Sequence, residues 1–161
     1  MTEPVRALIL DDDAQAADFM KAVFAAELPD LQITTRLEPD ISGQFDMYYI
    51  DNDFNGRLLA TELADNIRAS KPDALIIAAS SHLDAETLSG LLNRGCNGSW
   101  NKSKPEELPK LVEISRRYYQ AIMERRRMGD APPGGFINAI HSIRDLLREW
   151  NTRFSQERQS V

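Results

Sequence analysis

The chain has 161 residues, 42% of them apolar and 27% charged, which fits one ordinary soluble domain or one domain with a short attachment. Its apolar runs reach five or six residues, far short of the roughly 20 that span a bilayer. The first residues lack the charged start, long apolar stretch and cleavage site of a secretory signal, so no membrane role is expected. The net charge of −6 divides unevenly: residues 1–115 carry 10 Lys+Arg against 20 Asp+Glu, and residues 116–161 carry 9 Arg and no Lys against 5 acids. The acidic part argues against a general nucleic-acid binder. The basic tail suits an acidic partner or the chain's own acidic part. A single cysteine, Cys96, excludes an internal disulfide. It fits a reducing cytoplasm and reads as a small buried hydrophobe.

Short apolar runs alternate with helical patterns along the chain. Ala7-Leu8-Ile9-Leu10 reads as a first strand and ends in Asp11-Asp12-Asp13. Residues 14–27 place Ala17, Phe19, Met20, Val23 and Phe24 at helical spacing. Leu31 to Leu37 alternates as a second strand. Residues 38–45 contain Pro39 and Gly43 and hold at most about one helical turn. Met47-Tyr48-Tyr49-Ile50 is a third strand that ends in Asp51. Residues 57–69 are helical on a stripe of Leu58, Leu59, Leu63 and Ile67. Leu75–Ala79 is a fourth strand that ends in Ser80, and residues 84–94 are helical. A weak fifth strand lies near Gly98–Trp100, followed by Lys102.

A capping box, Ser103-Lys104-Pro105-Glu106, is expected to open the next helix. That helix runs to Gly129, with Arg125, Arg126 and Arg127 complementing its negative end. Residues 129–135 break the chain. Phe136, Ile140, Ile143, Leu147, Trp150 and Phe154 then form an a/d seam on one helix face. The seam must bury itself, either on the preceding helix in an antiparallel hairpin or on another subunit. The expected organisation is therefore residues 1–128, a linker at 129–135, and an amphipathic helix at 136–161 for docking or dimerisation.

Strands apolar on both faces, each followed by a helix, predict an α/β fold: a doubly wound, five-stranded parallel sheet flanked by helices, with a C-terminal helical extension. In such folds ligands bind beyond the carboxyl ends of the strands. That rule alone selects Asp11, Asp12, Asp51, Ser80 and Lys102. Two adjacent carboxylates after one strand and a third after another make a hard-oxygen site suited to Mg²⁺. Asp51 can act as a nucleophile toward a phosphoryl donor, while the Ser80 hydroxyl and Lys102 ammonium contact the remaining phosphoryl oxygens. Asp13 fits a helix N-cap.

The stretches ALILDDD, FDMYYIDND, LIIAASS and GCNGSWNKSKPEEL resemble the receiver domains of two-component response regulators, across roughly residues 4–120. The resemblance implies the flavodoxin-like receiver fold, with five strands and five helices. It implies Mg²⁺ bound by Asp11, Asp12, Asp51 and the backbone carbonyl of Asp53. It makes Asp51 the acceptor of a phosphoryl group from a sensor histidine kinase or phosphotransfer protein, Ser80 the switch hydroxyl and Lys102 the family's lysine. Such a protein takes part in its own phosphoryl transfer and autodephosphorylation and is otherwise no enzyme. Its output would be contact with a downstream protein or a second copy. Four departures stand out. Phe54-Asn55 replaces the usual Met-Pro, so the loop after Asp51 is expected to be shaped differently. Ser103 replaces the proline after the lysine. Ser99 stands at the usual aromatic switch position, with Trp100 beside it on the opposite face by strand alternation. The second helix is shortened.

Two other readings remain, beside a weaker one in which the Arg-rich tail binds RNA or DNA. A degenerate receiver would serve as a phosphorylation-independent binding module. Asp51-Asn52-Asp53 also resembles the DxD of haloacid-dehalogenase-type phosphatases, but Phe54-Asn55 stands where that family has Gly-Thr. In that family the second Asp is the acid/base, whereas beside a phosphorylated Asp51 of a receiver the Asp53 side chain would repel the phosphoryl group, orient an attacking water or face solvent.

Overall fold

The computed structural model describes residues 3–129 and 134–153, with side chains of the second segment from residue 141 onward. Strand β1 (Arg6–Leu10) leads into α1 (Ala14–Glu27), β2 (Gln32–Arg36) and β3 (Met47–Asp51). Two short strands, β4 (Asp53–Phe54) and β5 (Arg57–Leu58), precede α2 (Ala60–Ser70). Then come β6 (Leu75–Ser80), α3 (Ala85–Asn93), β7 (Gly98–Asn101), a single 3₁₀ turn (Pro105–Glu107), α4 (Leu108–Met128) and α5 (Gly134–Asn151). The large sheet is parallel throughout, in the order β2-β1-β3-β6-β7. The β4–β5 pair is antiparallel. The expected doubly wound sheet is therefore present, and the strand order reverses between β1 and β3.

The pleat sorts each central strand into two cores. Ala7, Ile9, Met47, Tyr49, Leu75, Ile77 and Trp100 face α1, α4 and α5. Leu8, Leu10, Tyr48, Ile50, Ile76 and Ala78 face α2 and α3. The first core contains one polar pair. Ser115 Oγ donates to Leu111 O at 2.8 Å, so its 2.6 Å contact with Tyr49 OH has the phenol as donor. Burial holds the Tyr49 phenol well above its ordinary pKa, so this pair stays neutral and satisfied.

Two helical expectations are corrected. Residues 37–46 form no helix, so one of the five helices implied around the sheet is missing. Gly43 has φ 110°, and Arg36 Nη1 donates to Asp40 O at 2.7 Å and Ser42 O at 2.8 Å. The guanidinium takes up carbonyls that a helix would pair internally, and Ile41 and Phe45 pack onto the second core from this loop instead. The helix expected at 57 starts at Ala60, because Arg57 and Leu58 pair with Phe54 and Asp53.

The C-terminal helix begins two residues before the expected Phe136, at Gly134. It packs on the preceding helix of its own chain, one of the two arrangements the seam allowed. Ile143, Leu147 and Trp150 are buried in the same core as Tyr118 and Ala121 of α4. The seam positions Phe136, Ile140 and Phe154 lie outside the residues whose side chains are described. Trp150 also covers β7. A Cβ added at Gly98 would stand 3.1 Å from the Trp150 ring and 3.3 Å from Asn151 Oδ1, so the absent side chain is what lets helix and strand approach. Of the three arginines at the end of α4, Arg126 reaches furthest inward and bonds Asp46 Oδ1 at 2.7 Å and Pro4 O at 2.9 Å.

Trp150→Ala is expected to lower unfolding free energy by about 3–5 kcal/mol in urea titration, the usual cost of emptying a buried tryptophan site. A loss below about 1 kcal/mol would mean that α5 contributes little to the core. Cys96 is buried, and that burial pushes its thiol up to about 12 against the pull of Arg68. The folded protein is therefore expected to resist iodoacetamide at pH 8 and to take up one equivalent after denaturation, read by intact mass.

Candidate functional site

The site lies at the carboxyl ends of β1, β3, β6 and β7, around the point where the strand order reverses. Asp11 and Asp12 follow β1, Asp51 ends β3, Ser80 ends β6 and Lys102 follows β7. Asp13 turns away and caps α1, accepting from Gln15 N at 2.9 Å and Ala16 N at 3.4 Å. Asp11 is 4% exposed and Asp51 6% exposed, so two carboxylates share a nearly dry crevice. Asp11 Oδ1 accepts from Asp13 N at 3.0 Å, and its Oδ2 accepts from Lys102 Nζ at 2.7 Å. Lys102 Nζ stands further from Asp51, at 3.6 Å from Oδ2.

Burial first, and the neighbouring Asp11 charge second, push the Asp51 carboxyl up to about 7, with Lys102 pulling the other way. Burial alone would lower the Lys102 pKa, but the hydrogen bond that its ammonium donates to Asp11 and the two carboxylate charges outweigh it and leave the ammonium above its ordinary value. The pocket is thus overloaded with negative charge, and one lysine relieves it in part. Asp11, Asp12 and Asp51 each bring an oxygen to within 4.8 Å of the others. A divalent hard cation fits this donor set, since it would supply the missing positive charge and accept oxygen ligands only.

The other expected residues divide. Ser80 is buried and one residue beyond Ala79, the register partner of Asp51. Its hydroxyl accepts from His82 N at 3.3 Å. The Asp53 carboxylate is exposed and accepts from Gly56 N at 2.7 Å, so it closes a turn, and its backbone N–H reaches Asp51 Oδ1 at 3.4 Å. The capping box is not formed. Ser103 Oγ donates to Ser81 O at 2.8 Å, and the carboxylate that binds back is that of Glu107, accepting from Asn101 N at 2.8 Å.

The loop after Asp51 supplies a contact that the sequence reading missed. β4 and β5 meet at Asn55-Gly56, with φ 53° and 88°. Positive φ at both central residues is the type I′ hairpin signature, and Asn-Gly is its strongest sequence signal. The turn places Asn55 N 2.9 Å from Asp12 Oδ2. It therefore closes over the acidic pair where the receiver family has Met-Pro.

No family model matches the sequence, and no curated protein matches it. Solved structures do match in fold. The BeF₃-activated DrrB receiver domain aligns with TM-score 0.61 and 15% identity, over 73% of this chain and 99% of that one. A CheY-like receiver domain protein from Methanospirillum hungatei aligns with TM-score 0.61 and 20% identity, over 79% and 100%. Response regulator TrrA of Thermotoga maritima, solved with Mg²⁺ and BeF, aligns with TM-score 0.58 and 23% identity, over 71% and 98%. This chain has the receiver fold. On that fold it carries an open β2–β3 connection, the Asn55-Gly56 hairpin and the docked α5.

Removing the Asp51 charge relieves the crowding, so Asp51→Asn is expected to stabilise the metal-free protein at pH 8 by on the order of 1–3 kcal/mol. The sign follows from linkage. A carboxyl raised in the folded state holds its proton longer than in the unfolded chain, so wild-type stability falls as pH rises from about 4 to about 7. The gain of Asp51→Asn should therefore shrink toward zero near pH 4, measured by denaturation with a chelator present.

Proposed function

We propose that this chain is a phosphorylation switch that accepts a phosphoryl group on Asp51. The observation that carries the reading is the buried Asp11–Asp12–Asp51 cluster at the strand-order reversal of a receiver fold, with Lys102 bridging two of its members. An Asp51 carboxylate oxygen attacks phosphorus. An O–P bond forms as the bond to the donor breaks, and the electron pair leaves with the donor's nitrogen or oxygen. Asp11, Asp12, Asp51 and the Asp53 carbonyl would hold Mg²⁺, which when bound offsets charge on the transferring oxygens. Lys102 can exchange its Asp11 contact for a phosphoryl oxygen, and the Ser80 hydroxyl, released from His82 N, can donate to another. The phosphoryl donor would be a sensor histidine kinase or a phosphotransfer protein. Water attack on the product would reset the switch.

Residues 1–128 would form the switch and the helix beyond the linker its docking element, acting by protein contact. The described part of the seam is buried within the chain, so a homodimer would use another face. Among the described residues no helix is long and apolar enough to cross a membrane. The single buried Cys96 suits the cytoplasm.

A second reading, a binding module that needs no phosphorylation, draws on Ser99 and Trp100. Ser99 is fully buried and donates to Ala78 O at 2.7 Å. Trp100 lies in the core beneath α5. Neither can act as the swinging aromatic of the receiver family.

Incubation with acetyl phosphate and Mg²⁺, followed by intact-mass spectrometry, tests between them. Wild type should gain one phosphoryl group and Asp51→Asn none. A folded wild type that gains none from acetyl phosphate or from any histidine kinase would leave the binding module as the function.

A further inference from the structure

We propose that Arg153 and Glu107 form a latch that holds the C-terminal helix on the edge strand and keeps the Lys102 loop in its resting position. The proposal rests on the reading of Asp51 as the phosphoacceptor. Glu107 is a carboxylate only 8% exposed. Its Oε1 accepts from Asn101 N at 2.8 Å, the residue immediately before Lys102. Arg153 closes the other side, donating from Nε to Glu107 Oε2 at 2.8 Å and from Nη2 to Glu107 Oε1 at 3.2 Å. Such a two-pronged pair fixes orientation as well as charge.

The same guanidinium also binds the strand and its own helix. Arg153 Nη2 donates to Ser99 O at 2.6 Å, and Nη1 donates to Trp150 O at 2.9 Å. Its Cζ lies over the Trp150 ring, 4.5 Å from the centroid, and that ring rests on Gly98. Two residues before Arg153, Asn151 Nδ2 donates to Asn97 O at 3.0 Å. Every residue from Asn97 to Asn101 except Trp100 is thus engaged by polar or close contacts from residues 150–153 or Glu107, and Trp100 is buried in the core that α5 joins.

This wiring ends at the site. Asn101 Oδ1 accepts from Ser103 N at 2.9 Å, and Asn101 O accepts from Lys104 N at 3.0 Å. The Lys102 backbone therefore moves only if the Asn101 cluster moves with it. In the resting arrangement Lys102 sits on Asp11 at 2.7 Å and not on Asp51 at 3.6 Å. A phosphoryl group on Asp51 draws the ammonium away from Asp11 and strains Asn101 against Glu107. Leaving the buried Glu107 carboxylate short of its Asn101 donor raises the free energy of the latched arrangement relative to one in which Glu107 and Arg153 part and reach water. Occupancy of Asp51 therefore loosens α5, and by reciprocity loosening α5 favours occupancy.

Hydrogen exchange read by mass spectrometry tests this on the full chain, with Mg²⁺ alone and with Mg²⁺ plus beryllium fluoride as the phosphoryl mimic. In wild type the mimic should protect amides at 52–58 and 80–84 and speed exchange at 141–151. Arg153→Ala should show fast exchange at 141–151 without the mimic, and its mimic titration midpoint should fall about fivefold, a typical coupling. Protection at 52–58 and 80–84 with α5 exchange unchanged or slowed would overturn the latch and leave the phosphoacceptor reading intact. An unshifted midpoint in folded Arg153→Ala would overturn it too. If Arg153→Ala fails to fold, wild-type exchange decides alone. No protection at either loop in wild type would overturn the phosphoacceptor reading, and the latch with it.

Discussion

Two buried carboxylates, Asp11 and Asp51, end neighbouring strands of one sheet, and their mutual repulsion constrains everything around them. The parallel register sets Leu10 beside Ile50, so the residues that follow each strand meet in the same crevice. Apolar packing of Leu8, Leu10, Tyr48 and Ile50 below holds that register. The cores thus force together two groups that would separate in water, and the site's charge is sustained by packing elsewhere. Lys102 is the partial answer available in the chain. It reaches Asp11 because Lys102 N donates to Ser80 O at 2.8 Å, anchoring the loop after β7 across the end of β6. Any cationic or phosphoryl ligand that enters changes a charge balance that the lysine redresses only in part.

Each surrounding loop bears on that balance. Asn55 N–H faces the Asp12 carboxylate at 2.9 Å and removes part of its demand for a partner. Asp53, which could have added a further charge beside Asp51, is turned onto Gly56 N. The hairpin therefore trims the local negative field on two counts while keeping the Asp11–Asp51 contact intact. An Asn-Gly turn can do this because its left-handed backbone directs successive N–H groups to one side.

Much of this was legible in the sequence, and the rest was hidden for identifiable reasons. Strands β1, β3 and β6 are apolar on both faces, so their runs and the polar residues that end them identified Asp11, Asp51 and Ser80. The seam through Ile143, Leu147 and Trp150 showed a helix that had to be buried, and α4 was one of two covers considered. The β2–β3 connection was read as holding one turn at most, because Pro39 and Gly43 interrupt any helical stripe. Its Arg36 clamp was not foreseen, since it depends on carbonyls that carry no side-chain signal. The Asn55-Gly56 hairpin carried a strong signal that the comparison with Met-Pro obscured. Glu107 was passed over for Glu106 because capping-box spacing is counted along a helix, whereas here a 3₁₀ turn places the later carboxylate under Asn101.

The exchange of Ser99 and Trp100 against the family pattern makes physical sense once α5 is in place. An aromatic at position 99 would point into the α2–α3 side of the sheet, where the Ser99 hydroxyl now bonds Ala78 O. An aromatic at position 100 points to the α4 side, where the edge strand would otherwise present an open apolar face. Trp100 fills that face and Trp150 closes over it, beside a glycine that leaves room. A ring held in this way cannot swing between two rotamers without opening the core, which interiors packed to crystal density resist. Motion at this edge is therefore more readily taken up by the docked helix, whose polar ties to β7 can break and re-form, than by a side chain within the strand. In this chain the polar ties that can break and re-form at this edge lie outside the sheet, between residues 151–153 and the chain at 97–99.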